Sequence, residues 1–476
     1  MKNILYTIAI VWVGLLSGCE KFTEIEPKGR NLLSTASDLD LLLNDSYSGF
    51  SVVRTGALTS GIYNVNLALL KKEPIKTFNY ATIFWDASID RAALRPSCNI
   101  YEPIYSVIGK ICNPVIARAD AARGDRLLID RYKAEAYVLR AWFHYLAVNI
   151  FAKAYNPATA ATDGGVVYAL ETDLVSEPSK KYTVAEVYEL ILKDLDNAFK
   201  LNALLDQGVN QQRVGKSFAY AVQARVLLSM RKFDQALVAA RASLAINSQL
   251  DDHNNMLVDY PVTGVSPNPK GWARLRLTSK EDLFITPSVM YLTWFSPELM
   301  AQFDPNSVLY NYMPTQVNIP FTADYGNSIF GMPGEKAVWS LVGAIQSEVS
   351  GAGLTSVDMR LAEAECLMRN NDLGGAKQKL EDIRKMRIIT SRYTASPASS
   401  RAELFALLKQ LSRSENFNTF KDMIDLKRWN TEPEFAANLR RTILGDTYTL
   451  TPQSPLWIFP FPQNATSFNT NLTQNY

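Results

Sequence analysis

The side chains that usually carry chemistry are few and scattered in this chain. There are two histidines, His144 and His253, about a hundred residues apart. A tetrahedral zinc site gathers His and Cys ligands, so a His-based metal centre is not expected. A serine hydrolase would have to recruit one of these two histidines as its base, and no nucleophile motif accompanies either. Glu363 and Glu365 fall in a helical pattern two residues apart, so they do not face each other. They read as solvated charges rather than the acid–base pair of a glycosidase. Asp251-Asp252 reads as a loop charge pair and lacks the spaced oxygen ligands of a calcium loop. With Cys19 set aside, Cys98, Cys112 and Cys366 remain, and an odd number makes no disulfide framework. Cys98 and Cys112 could pair in an oxidising compartment, or all three could be buried free thiols. With no CxxC pair, neither a metal nor a cofactor is expected, and the chain does not read as an enzyme.

The N-terminus gives a stronger signal. Lys2 precedes a run from Ile4 to Leu16 that is nearly free of polar residues. That run is too short to span a bilayer comfortably and suits a signal-peptide core. It ends in Leu16-Ser17-Gly18-Cys19, small residues ahead of a cysteine, as a lipoprotein signal peptidase requires. Residues 1–18 are therefore expected to be removed and Cys19 to be lipidated. Each buried methylene adds about 0.8 kcal/mol, so a multiply acylated cysteine anchors stably. Lys+Arg is 49 and Asp+Glu is 47, a net charge of +2, which lacks the basic footprint of a nucleic-acid binder. With 47% apolar and 20% charged residues the 476-residue chain is of ordinary globular composition.

The rest of the chain reads as mainly α, built from tetratricopeptide (TPR)-like helical hairpins. Tyr132, Ala136, Leu139, Phe143, Leu146 and Ile150 mark one helical stripe over Arg131 to Ile150. Val138, Trp142 and Tyr145 add a second face, so this helix is expected to be packed on two sides. Val184 to Leu201 follows, with Thr183 and Glu186 placed for a capping box. These two helices make a pair over 131–201. A second pair occupies 214–246, with Arg231-Lys232 as its break. Ala221 and Ala224 allow its helices to approach closely. A third spans 358–388, turning at Asn370-Asn371-Asp372. Three irregularly spaced units suggest a helical scaffold with long insertions rather than a uniform solenoid. The stretch 251–350 holds nine of the 22 prolines and thirteen aromatics, so loops, short strands and short helices are expected there. A smaller irregular stretch near Ala57 to Pro103 contains Trp85.

Taken in order, these pieces resemble the SusD/RagB family of outer-membrane nutrient-binding lipoproteins. Cys19-Glu20-Lys21-Phe22 resembles the family's acidic start behind the lipid. Ala134-Glu135-Ala136 through Tyr145, then Asn149-Ile150-Phe151, is similar to its signature helix, and Tyr155 to Val166 to the loop after it. Ala185-Glu186-Val187-Tyr188 with Asp194-Leu195 is similar to the next helix. Asp425-Leu426-Lys427-Arg428-Trp429 and the tail Asn469 to Tyr476 complete the series. The chain departs from the family at Thr419-Phe420, where Glu-Gly is common, at Asp422, where Arg is common, and at Val167, where Pro is usual. The tail also lacks a Pro-Gly between Asn475 and Tyr476. These departures bear on local packing.

The resemblance implies one SusD-like domain over 19–476, lipid-anchored in the outer membrane and facing the cell exterior. It implies a partner, a SusC-type TonB-dependent transporter, to which a captured glycan, or in some members a peptide, is handed without catalysis. The alternative is a TPR-type scaffold for envelope assembly with no small ligand. Sugar rings present flat C–H faces that exposed aromatic rings can cover, while Asn, Asp, Gln and Arg bond the hydroxyls. On that chemistry the candidate ligand-binding residues are Trp85, Trp272, Tyr291, Trp294 and Trp339, all in the irregular stretches. Trp142 and Trp429 sit within helical patterns and read as structural.

Overall fold

The computed structural model describes residues 33–476 apart from 50–52, 64, 66, 175, 260–269, 273–278, 290–293, 313, 316–338, 341–347 and 418. The signal segment and Cys19 lie outside the described residues.

Helices dominate, and local sequence explains their ends. Helix α1 (Ala36–Leu43) opens on a capping box between Thr35 and Asp38. Helices α2 (Tyr101–Val107) and α3 (Asn113–Ala119) are joined by a π-turn, Ile108–Cys112. Pro114 has no N–H to give the carbonyl four residues back, and the Asn113 N–H bonds to Ile108 instead. Helix α4 (Arg126–Phe151) starts at Asp125, whose carboxylate accepts from the N–H groups of Leu127 and Leu128. Both expected faces of α4 are buried, Tyr132 and Phe143 on one, Val138 and Trp142 on the other. Helix α5 (Val184–Leu201) carries the expected capping box of Thr183 and Glu186, and Asn202 ends it in the left-handed region.

Helices α6 (Lys216–Ser229) and α7 (Phe233–Ile246) turn at Arg231, φ 59°. Helices α8 (Ser356–Arg369) and α9 (Leu373–Arg387) turn at Asn371, φ 62°. Two further helices close the scaffold, α10 (Arg401–Asn416) and α11 (Phe420–Trp429). The pairs α4/α5, α6/α7 and α8/α9 each pack together, and α7 packs on α8. Ala221, Ala224, Ala236 and Ala240 are buried in the second pair, where small side chains admit close approach. The mainly-α reading with TPR-like pairs therefore holds.

Large buried aromatics tie the insertions to this scaffold. Trp142 stacks on Tyr145 and donates its indole N–H to the carbonyl of Ala352, 2.7 Å away. Trp142 and Trp429 are both core residues, as their helical positions suggested. The three described cysteines are free and buried, so the bland alternative for Cys98 and Cys112 is the one observed.

The carboxylates correct the sequence reading. Glu363 and Glu365 are buried rather than solvated. Glu363 pairs with Arg241 at 2.8 Å and Lys379 at 3.5 Å. Glu365 takes a two-pronged contact from Arg428 (2.7 and 2.8 Å), a bond from Arg369 (2.9 Å) and the indole N–H of Trp429. The spacing rule was sound in saying that the two diverge. It could not say that α8 has neighbours on both sides, so each charge meets a cation instead of water. Asp251 is likewise buried, its carboxylate accepting from the N–H of Lys280 at 3.0 Å and its carbonyl from Arg387 at 2.7 Å.

The strands are short and pair antiparallel. Strand β1 (Ile62–Tyr63) belongs to a four-stranded sheet. Strands β2 (Gly164–Val167) and β3 (Lys181–Thr183) pair beside α5. The 251–350 stretch supplies β4 (Leu257–Asp259), β5 (Lys270–Trp272), β6 (Asp282–Phe284), β7 (Pro287–Val289), β8 (Trp294–Phe295), β9 (Pro314–Thr315), β10 (Trp339–Ser340) and β11 (Glu348–Ser350). It also holds short helices at Pro297–Met300 and Val308–Tyr312, as its proline content suggested. Strand β12 (Leu354–Thr355) pairs with β6, and a hairpin of β13 (Leu439–Ile443) and β14 (Asp446–Leu450) lies near the C-terminus.

Candidate functional site

Two of the expected aromatics meet on the four-stranded sheet, whose order is β1–β8–β10–β9. Tyr63 pairs in register with Trp294, Trp294 with Trp339, and Trp339 with Thr315. Three aromatic positions thus fall in one cross-strand register, and the Tyr63 side chain is buried. The side chains of Trp294 and Trp339 lie outside the described residues.

The helix Val53–Thr59 leads into this sheet and is pinned at its end. Thr59 and Ser60 donate their hydroxyls to one carboxylate oxygen of Asp422, at 2.7 and 2.6 Å. Arg413 bonds the other oxygen at 3.3 Å and the Thr59 carbonyl at 2.8 Å. Asp422, a departure from the family pattern, is therefore the anchor that ties α11 to the edge of the sheet. Gly61 comes next with φ +67°, and its carbonyl accepts from the N–H of Ser296 at 2.9 Å. A Cβ at Gly61 would lie 2.2 Å from the Ser296 hydroxyl, so the close approach of β1 and β8 needs glycine.

Under the row lies a buried guanidinium. Arg441, on β13, is 3% exposed. It donates to the carbonyls of Ala57 (2.8 Å), Leu58 (2.6 Å) and Ile83 (3.1 Å). Its carbon lies 3.8 Å above the ring of Trp85 and 5.8 Å from that of Tyr63. Burial lowers its pKa from the ordinary guanidinium value, and Tyr63 acts against that. Burial likewise raises the Tyr63 hydroxyl above its ordinary value, which keeps it neutral.

Trp85 corrects an expectation. It is buried, with its indole N–H given to the Leu58 carbonyl at 3.0 Å and one face covered by Arg441. It supports the segment that leads into β1 and offers no free face. Trp272 sits on the separate β4/β5 pair, opposite Leu257, and is not brought to the row. Tyr291 lies outside the described residues. Tyr63 and Arg441 were not singled out in the sequence, and Asp422 stood out there only as a departure from a motif.

The two histidines are buried. The Ala169 N–H can only donate, so the His144 Nε2 that it bonds at 3.0 Å carries no proton. The proton is then on Nδ1, which donates to the Arg140 carbonyl at 2.9 Å. Among the described residues no cluster of His, Cys, Asp or Glu could hold a metal. Among them also, no helix is long and apolar enough to cross a membrane.

The fold defines a class, a TPR-like helical scaffold whose insertions carry short sheets. Residues 71–228 match the SusD-like family described as starch-binding and associating with the outer membrane. Solved structures align over nearly the whole chain. A SusD superfamily protein from Bacteroides thetaiotaomicron aligns with a TM-score of 0.68 at 16% identity, covering 93% of this chain and all of that one. A putative sugar-binding protein from Bacteroides vulgatus aligns at 0.68 and 15%, covering 94% and 99%. Surface glycan-binding protein A from Bacteroides thetaiotaomicron aligns at 0.61 and 14%, covering 93% and 99%. No curated protein sequence matches the chain. The resemblance read from the sequence is borne out to this extent: residues 71–228 match the SusD-like family, and the fold is that of the solved SusD superfamily structures.

Proposed function

We propose that this chain binds an oligosaccharide at the outer surface of the outer membrane and delivers it to a SusC-type TonB-dependent transporter. It acts as a binding protein, without catalysis. The lipobox at Cys19 supplies the anchor. The family description and the sugar-binding names of the structural neighbours support the ligand class. The observation that carries the reading is the cross-strand row of Tyr63, Trp294 and Trp339. Trp294 and Trp339 are the proposed sugar-stacking residues, with Trp272 and Tyr291 as further candidates and Trp85 as support.

The test is a titration of the chain from Phe22 onward against neutral oligosaccharides and peptides, followed by tryptophan fluorescence. Covering one sugar face contributes about 1–2 kcal/mol, so Trp294→Ala or Trp339→Ala is expected to weaken binding roughly 5- to 30-fold. Saturation by peptides alone overturns the sugar assignment. Unchanged sugar affinity in both variants overturns the assignment of the site. Copurification of a transporter with the lipidated chain tests delivery.

A further inference from the structure

A second place on the molecule carries the same kind of chemistry. A groove of about 730 Å³ runs between α2 with its π-turn and the short C-terminal helix Gln463–Phe468. It shares no lining residue with the aromatic sheet. Its volume falls in the range of small-ligand sites, about 300–1,000 Å³.

Three rings line it: Tyr101, Tyr105 and Phe468. Tyr101 and Tyr105 lie against each other, centroids 4.4 Å apart, and are half-buried. The Tyr105 hydroxyl is held by the Val167 carbonyl at 2.8 Å, which fixes its ring. Phe468 is 89% exposed, the largest value among the described large hydrophobics. A lone phenylalanine left in water beside two fixed tyrosines is apolar area awaiting a cover.

Polar groups surround the rings. Glu102 accepts from the side-chain amide of Asn464 at 2.8 Å and from the Cys98 N–H at 3.2 Å. That bond joins the two walls of the groove and sets its width without a ligand. The side chains of Asn99 and Lys110 are exposed and enter no hydrogen bond or ion pair among the described residues. Lys110 stands on the π-turn, an irregularity that Pro114 imposes and that recurs at functional sites in proteins. One acid and one base among the charged lining residues leave the groove neutral.

Fixed rings, an uncovered phenyl face and solvent-facing amide and ammonium donors suit a sugar, which has flat C–H faces and a rim of hydroxyls. We propose that this groove is a second saccharide site, separate from the aromatic sheet, for a neutral oligosaccharide of two or three units. Phe468 covers one ring face, and Asn99, Lys110 and the free capacity of Glu102 and Asn464 bond hydroxyls.

The groove's lining contains no tryptophan, so calorimetry rather than fluorescence reads it. The chain from Phe22 onward would be titrated with maltotriose, cellotriose, mannotriose and triacetylchitotriose. The Trp294→Ala/Trp339→Ala double variant silences the sheet. It is expected to retain binding of at least one of these sugars. Phe468→Ala, added to it, is expected to weaken that binding about fivefold or more, and Lys110→Ala to weaken it less. Because Phe468 is so exposed, its removal should leave the unfolding midpoint unchanged. No binding of any of the four sugars by the double variant overturns the proposal, as does equal affinity with and without Phe468. Neither result touches the sheet, whose assignment stands or falls on the tryptophan variants alone.

Discussion

The guanidinium of Arg441 lies 3.8 Å over the indole of Trp85. Both groups also hold the carbonyl of Leu58, at 2.6 and 3.0 Å. The pair thus fixes the segment that leads into β1. Arg441→Lys keeps the charge but loses the planar fork and the stacking. It is expected to destabilise the fold by about 2–4 kcal/mol, since up to two buried carbonyls lose their donor. Trp85→Phe should cost less than Trp85→Ala, which removes a large buried ring at about 3–5 kcal/mol. Urea unfolding measures all three; equal stability of Arg441→Lys and the parent chain would show that the three carbonyls do not depend on the fork.

Gly61 tests the seam between the scaffold and the sheet. Alanine there meets the Ser296 hydroxyl and must hold φ near +67°. The conformational strain alone is on the order of 1–3 kcal/mol. Gly61→Ala should therefore lower stability, and combining it with Ser296→Gly should recover part of the loss. A double variant no better than Gly61→Ala would mean that the contact is not the cause.

Glu365 should make the fold acid-sensitive. Burial opposes its ionisation, but Arg428 and Arg369 more than offset this and hold its pKa at about 2, below the ordinary 4.5. A carboxylate with a depressed folded value contributes stability above the unfolded value. That contribution, about 3 kcal/mol, is lost as pH falls from 4.5 towards 2. Glu365→Gln takes the two-pronged carboxylate from Arg428, which keeps only Asp425 at 3.1 Å, and should cost about 3 kcal/mol at neutral pH. Unfolding free energies of parent and variant across that window decide it: parallel curves would remove Glu365 as the cause.

His144 has the opposite charge type and the same direction. Burial lowers its pKa from 6.5 to about 3. Below pH 6.5 the unfolded chain takes up a proton that the folded chain refuses. Stability then falls by up to about 1.4 kcal/mol per pH unit until pH 3. Nitrogen-15 NMR of the histidines should show His144 as the neutral Nδ1–H form at pH 5. A titration midpoint near 6.5 would contradict the burial.

The thiols give a quick check of packing. Cys98, Cys112 and Cys366 are free and buried, and burial raises the pKa of Cys112 and Cys366. A chain beginning at Phe22 should show no reactive thiol to Ellman's reagent when native and three in guanidinium. Reaction of one thiol at the native rate of a free cysteine would locate an opening in the core.

Much of the scaffold could be read from local sequence. The period of α4, the Thr183/Glu186 box and the break at Arg231 are each encoded within a few residues, because helix bonds and caps join near neighbours. The family motifs lie in the same segments. What the tertiary structure decided was the fate of single side chains. Two glutamates that spacing placed on diverging faces became buried ions, because α8 has neighbours on both faces. Trp85 lost its free face to an arginine from the far end of the chain. Trp294 and Trp339, far apart in sequence, became register partners. Strand register and the burial of charge are set by contacts between distant segments, and no local period records which segments will meet.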